Sequence, residues 1–184
     1  MTLQKSLDTL QNAGVILFPS DTVLGLGCDA TNPKAVDKIF TIKKRNHGKS
    51  LVALVSSFQM LRDYVEVIPT EIFEILEHTN VPTTIVYPKA KEVAPMAMAD
   101  DGSMAFRIPN SGFTHNLVRS FGKPIVATSA NLSGDPIPEK SSQINQSILE
   151  QVDYVVPLKS GPYSVTPSKI IQVTSDGRIK IIRP

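Results

Sequence analysis

Three polar segments and one arginine hold the side chains that could do chemistry in this sequence. Pro19-Ser20-Asp21-Thr22 follows an apolar stretch, Lys43-Lys44-Arg45 follows a helical one, and Thr128-Ser129-Ala130-Asn131-Leu132-Ser133-Gly134 follows a second apolar stretch. Where strands alternate with helices, ligands sit at strand ends. Hydroxyls and an amide crowded into seven residues suit hydrogen bonding to a polar ligand, and three consecutive cations suit an anion. Each segment also has a plainer reading: a turn made of turn formers, basic residues facing a helix C-terminal dipole, or a loop of helix-capping residues. Arg107 lies between Phe106 and Ile108 in a strand-like run, so alternation sends it to the face opposite both. Taken alone, it is expected on an exposed sheet edge; the alternative is an arginine aimed into a cleft.

Other chemistries lack their residues. Gly25-Leu26-Gly27 has no third glycine for a dinucleotide fingerprint, and no Gly-x-x-x-x-Gly-Lys loop occurs. Two glycines in a strand mark a bulge or close backbone packing instead. His47, His78 and His115 lack metal-ligand spacing and Cys28 stands alone, so no dedicated metal site is expected. No Gly-x-Ser-x-Gly elbow frames a serine.

These side chains must be positioned by 184 residues, enough for one domain that buries roughly two-thirds of its unfolded surface. The chain is 41% hydrophobic but only 6% aromatic, without Trp, which predicts an aliphatic core. Net charge is +2, no argument for nucleic acid by itself. One cysteine, no apolar run of membrane-spanning length and no signal-like opening predict a soluble, cytoplasmic protein. Charge is uneven, however. Residues 34–49 carry six basic side chains against Asp37 alone, a local +5, and residues 62–77 carry a local −4 that suits a solvated helix face.

Leu3, Leu7 and Leu10 are spaced as a helix that Gly14 ends, Val15–Phe18 is a strand closed by Pro19, and a second strand runs from Val23 towards Ala30. Asn32-Pro33 is an N-cap with proline behind it, opening a helix with the stripe Val36, Ile39 and Phe40. Its exit, Lys43 to Lys49, is expected to be exposed. Leu51–Val55, Thr83–Tyr87, Met104–Ile108, Ile125–Thr128 and Tyr154–Val156 read as strands; Ser57–Leu61, Thr70–His78, Phe113–Phe121 and Ser141–Gln151 read as helices. Lys169–Val173 and Arg178–Ile182 form a closing hairpin around Ser175-Asp176-Gly177. The alternation predicts one α/β domain over residues 1–184, its sheet mixed and flanked by helices.

In combination, Lys43-x-Arg45, Arg107 and Ser129-x-Asn131 resemble the YrdC-type threonylcarbamoyl-AMP synthase family. Residues 19–30 look like its Pro-Thr-(Asp/Glu)-Thr-x-x-Gly-(Leu/Val)-Gly segment. Phe106-Arg107-Ile108-Pro109 resembles its arginine-bearing strand, and Lys123-Pro124-Ile125-Val126 the strand before its Ser-Ala-Asn loop. The resemblance runs from about residue 5 to Pro184, and Asn131 favours the synthases over the related YciO-type branch. There are departures. Asn80-Val81-Pro82 replaces a usual Pro-Gly-Pro, Ser20 a common Thr, Leu24 a Tyr and Asn46 a Pro. Val81 is the largest, because glycine alone reaches φ > 0 without strain.

The resemblance implies a YrdC-like fold with a twisted mixed sheet and a concave cleft. It implies an enzyme, a nucleotidyltransferase joining L-threonine, bicarbonate and ATP into threonylcarbamoyl-AMP and pyrophosphate, for N6-threonylcarbamoyladenosine in tRNA. By carry-over, Lys43 and Arg45 are catalytic residues on the triphosphate, and Thr22, Arg107 and Ser129 contact threonine. Lys49, Ser103 and Asn131 are further nucleotide contacts. Mg²⁺ is held mainly by the ATP phosphates, and proteins that transfer the group to tRNA are downstream partners. Two other classes compete. A tRNA- or double-stranded-RNA-binding module rests on the +5 stretch, although no Phe, Tyr or Trp interleaves residues 41–49 to stack on bases. A Ser129-dependent amidohydrolase has no histidine nearby in sequence. A divergent paralogue would keep the fold without the reaction.

Overall fold

The structure is a computed structural model and describes residues 1–48, 50–110, 112–159 and 162–184. Helix α1 spans Thr2–Gln11 and stops at Asn12 and Ala13, the latter left-handed at φ 59°, rather than at Gly14. Strands β1 (Ile16–Pro19) and β2 (Leu24–Asp29) pair antiparallel, with Ile16 opposite Gly27 and Phe18 opposite Gly25. On its other side β2 pairs with β6 (Ile125–Ser129) in unbroken register from Gly25–Ser129 to Asp29–Ile125. The two glycines therefore mark close packing, not a bulge. A Cβ on Gly27 would stand 2.8 Å from Phe18 Cε1 and 2.8 Å from Val126 O, whereas on Gly25 the nearest atoms are at 3.4 and 3.6 Å. The Phe18 ring fits because Gly27 has no side chain.

Helix α2 (Pro33–Lys43) starts as its sequence dictates: Asn32 Oδ1 accepts from the backbone N–H of Lys34 (3.0 Å) and Ala35 (3.2 Å), with Pro33 behind it. Strand β3 (Val52–Leu54) lies between β6, antiparallel, and β5 (Met104–Arg107), parallel. Beyond β5 come β4 (Thr83–Tyr87), β8 (Lys169–Val173) and β9 (Ile179–Arg183), while β7 (Tyr154–Val155) extends the sheet past β1. Among the described residues this is one nine-stranded mixed sheet, ordered β7-β1-β2-β6-β3-β5-β4-β8-β9. The remaining helices are α3 (Phe58–Arg62), α4 (Thr70–His78), α5 (Gly112–Phe121) and α6 (Gln146–Leu149).

Residues 141–151 do not form the single helix that their spacing predicts. A 3-10 turn over Ser141–Gln143 ends at Ile144, and Asn145 restarts the chain as α6 by accepting from Ser147 N at 2.9 Å. Local bonding by the asparagine side chain competes with helix continuation. A second 3-10 turn, Pro95–Ala97, has no clear signal in the sequence; its Ala97 carbonyl accepts from Leu51 N at 2.9 Å.

Alternation along β1 separates two cores. Val15 and Leu17 join Leu26, Ile39, Ile72 and Ile148 on the side of α2, α4 and α6. Ile16 and Phe18 join Leu54 and Ile125 against Leu10 of α1 and Leu117 and Val118 of α5. This second cover stops short. Beyond it, Gly25, Val52, Ala127, Thr84 and Arg107 floor a cleft. No helix among the described residues is long and apolar enough to cross a membrane. The packing predicts that Gly27→Ala costs about 1–3 kcal/mol of stability, as overpacked cores do, and Gly25→Ala less than about 1. Urea unfolding midpoints check this; equal losses at both positions would contradict it.

Candidate functional site

The turn between β1 and β2 is tied by one hydroxyl. Ser20 Oγ donates to Val23 O (2.6 Å) and accepts from the N–H groups of Thr22 and Val23, both at 3.1 Å. The turn thereby presents Asp21 and Thr22 to the end of β5. There Arg107 Nη2 meets Asp21 Oδ1 at 2.8 Å, and Nη1 donates to Thr22 Oγ1 at 3.0 Å. Arg107 is only 6% exposed and sits on an interior strand, so the expected sheet-edge position is wrong and the cleft alternative holds. Burial lowers its pKa from the ordinary arginine value, and the Asp21 charge opposes that shift.

The second correction concerns Lys43. Its exit position does not leave it in solvent: it is 3% exposed. Its ammonium donates to Ser129 O at 2.5 Å and Asn131 O at 2.7 Å, while Ser133 N donates back to Lys43 O at 2.9 Å. The end of α2 is thus stitched to the loop leaving β6. Burial, and then the neighbouring Arg45 charge, pull the Lys43 pKa down to about 8. Arg45 is half-buried and donates through Nη2 to Ser50 O at 3.0 Å; burial lowers its pKa too. Asn131 donates through Nδ2 to Asp135 O at 2.6 Å, and its buried Oδ1 has no hydrogen-bond partner among the described residues.

Thr22, Arg45, Arg107 and Ser129 come together around one cavity of about 290 Å³. Lys43 and Asn131 line an adjoining cavity of about 520 Å³ that shares Arg45, Thr128 and Ser129 with the first. Ser103 does not line either. It precedes β5 four residues before Arg107, buried, with its N–H turned to Asp101 Oδ1 at 2.9 Å. Lys49 lies outside the described residues. Val81 is exposed, not left-handed and not part of the cleft, so this departure is accommodated without backbone strain. The +5 stretch is not a continuous surface: Lys43 is buried, and Lys38 pairs with Asp153 at 2.6 Å.

Sequence reasoning missed the far wall. Thr84 and Ser168, joined hydroxyl to hydroxyl at 2.7 Å, line the cleft with Arg183, which donates to Ser168 O through Nε (2.9 Å) and Nη2 (2.6 Å). The available signal was an arginine just ahead of proline in a strand, as Arg107 stands ahead of Ile108-Pro109.

The Lys43 shift fixes a pH dependence. With a folded pKa near 8 and an ordinary value of 10.5, the folded chain binds fewer protons in that window, so this group's stability contribution is full above 10.5 and lost as pH falls through 8. Wild type should therefore gain urea resistance relative to Lys43→Met between pH 7.5 and 10. A pH-independent difference between the two would mean that Lys43 titrates normally.

The sequence pattern of the Sua5/YciO/YrdC family, described as telomere recombination, matches residues 8–184. The chain is 30% identical over 177 residues to threonylcarbamoyl-AMP synthase of Photobacterium profundum, covering 95% of each chain. Sua5 of P. abyssi, solved in complex with L-threonine, matches with a TM-score of 0.85 at 25% identity, over 99% of this chain and 53% of that one. The chain thus spans about half the length of that protein. E. coli YciO matches with a TM-score of 0.80 over 98% of this chain and 87% of that one, and at 22% identity this likeness concerns the fold alone. A pattern match over nearly every residue, on a mixed sheet of the same fold, makes the chain a member of the Sua5/YciO/YrdC family.

Proposed function

We propose that the cleft is the active site of an L-threonylcarbamoyladenylate synthase. The observation that carries this reading is a buried arginine, Arg107, lining one small cavity together with Thr22, Arg45 and Ser129. A guanidinium fork suits an α-carboxylate, and a nearby hydroxyl suits the threonine side chain. The relative named threonylcarbamoyl-AMP synthase and the Sua5 structure holding L-threonine support the same substrate.

In this reading the threonine amine combines with bicarbonate to give a carbamate and water. A carbamate oxygen then attacks the α-phosphorus of ATP, and pyrophosphate leaves with the bond electrons. No enzyme nucleophile is required, which makes the protein a nucleotidyltransferase that works by positioning and charge. Arg45 and Lys43 stand towards the adjoining cavity, where a triphosphate's negative charge would be met; Asn131, and Ser103 and Lys49 by resemblance, serve the nucleotide. ATP enters as its Mg²⁺ complex, the metal held by phosphate oxygens. Partial burial of the cleft limits hydrolysis of the carbamate and of the mixed anhydride. The product passes to proteins that transfer the group to tRNA.

Purified protein should release pyrophosphate only when ATP, threonine and bicarbonate are all present; release that ignores omission of threonine or bicarbonate would refute the assignment. Arg107→Ala should weaken threonine use about 10- to 150-fold, the loss of a charge-assisted bond worth about 1.5–3 kcal/mol, with ATP dependence little changed. Arg45→Ala separates enzyme from RNA module. Catalysis should fall by at least about tenfold, while any RNA affinity changes only as one phosphate contact would. Full catalytic rate in Arg45→Ala would favour the RNA reading.

A further inference from the structure

Arg107 could not keep one orientation on its own contacts with the cleft. Its side chain has several rotatable bonds, and burial opposes its charge. Two oxygens from one turn fix the guanidinium plane: Asp21 Oδ1 on Nη2 and Thr22 Oγ1 on Nη1. Ser20 and Thr22 line the cleft but Asp21 does not, although its side chain is only 20% exposed. Its carboxylate is therefore directed at the arginine rather than at the cavity. On the remaining edge of the guanidinium, Arg107 Nε is buried without a hydrogen-bond partner among the described residues. Arg107 itself lines the cleft, so the orientation of its guanidinium plane decides what a ligand there meets.

We propose that Asp21 is a positioning residue: it holds the Arg107 guanidinium in the one orientation in which it meets the carboxylate of the amino-acid substrate. This deepens the threonine reading and rests on it for the identity of the ligand. The Ser20 hydroxyl web makes the turn stiff enough for the task, since it fixes the backbone on both sides of Asp21. Asp21 also supplies the negative charge that lets a cation stay buried before any substrate arrives. A substrate carboxylate therefore adds to an arginine already oriented, and no side chain has to be ordered during binding.

Two measurements test this on the full chain. The first needs no substrate: nitrogen-15 spectra of the Arg107 guanidinium. In wild type, rotation about the Cζ–Nη bonds should be hindered, and in Asp21→Ala it should be fast. Asp21→Asn keeps the shape and one acceptor oxygen without the charge, should fall between, and carries the test if the alanine variant does not fold. Unchanged rotation in both variants overturns the proposal. The second is steady-state kinetics. Asp21→Ala should raise the threonine KM at least tenfold with the ATP KM within twofold, and should narrow the preference for L-threonine over L-threoninamide. A merely structural role would depress both substrates alike and leave that preference intact, which would also overturn the proposal. If wild type itself ignores threonine, the substrate reading fails, while the spectra still decide whether Asp21 orients Arg107.

Discussion

Among the described residues two cations, Lys43 and Arg107, are taken out of water, and the cleft takes its shape from how each is satisfied. Removing an ammonium or guanidinium from solvent costs several kcal/mol unless oxygens replace the lost hydration. For Lys43 the oxygens are carbonyls of Ser129 and Asn131; for Arg107 they are Asp21 and Thr22. Each solution joins elements far apart in sequence: the end of α2 to the exit of β6, and the end of β5 to the β1–β2 turn. The walls of the cleft are thereby held by the charges that line it. Fixed charges of this kind need little rearrangement when a ligand's own charge develops.

The sheet makes room for this by being small where the helices stop. Alternation puts Gly25, Val52 and Ala127 on the same face as Ile125 and Leu54; the latter two are buried beneath α1 and α5, whereas Val52 and Ala127 pack only at the margin of that core and line the cleft with Gly25. Phe18 lies over Gly27 on that face and fills the roofed part. The Gly-x-Gly pair thus works in two ways: one glycine admits an aromatic ring into the core, and the next leaves the cleft floor low. A dinucleotide fingerprint and this arrangement share glycines for unrelated reasons.

How much of this the sequence discloses depends on the range of the interaction. The Asn32-Pro33 helix start, the alternating strands and the final hairpin are local, and the structure has them within a residue or two. Residues 141–151 misled because helical spacing competes there with capping by Asn145, whose outcome differs by only one side-chain bond. The site was legible as residue types but not as contacts. Nothing near Lys43 in sequence reveals that its partners lie 86 and 88 residues away. A basic residue at a helix exit is ordinarily solvated, so local reasoning gives the wrong burial. Arg107 was ambiguous for a related reason: strand alternation fixes the face, but only sheet order decides whether that strand is an edge.

The one-residue gap between Lys43 and Arg45 has a backbone explanation. Lys44 caps α2 in the left-handed region, φ 49° and ψ 43°, and Arg45 N donates back to Phe40 O at 3.0 Å. This is the closure usually built with glycine, and a lysine there bears roughly 1–2 kcal/mol of steric cost. The reversal ends the helix with Lys43 still on its buried face, turns Lys44 outward, and brings Arg45 back over Ser50 at the cleft. Lys43 and Arg45 both turn inward across a left-handed residue, so the middle position is constrained in backbone conformation and hardly at all in side chain. The Lys-x-Arg spacing therefore follows from how a helix ends, and the two inward charges inherit their separation from that turn.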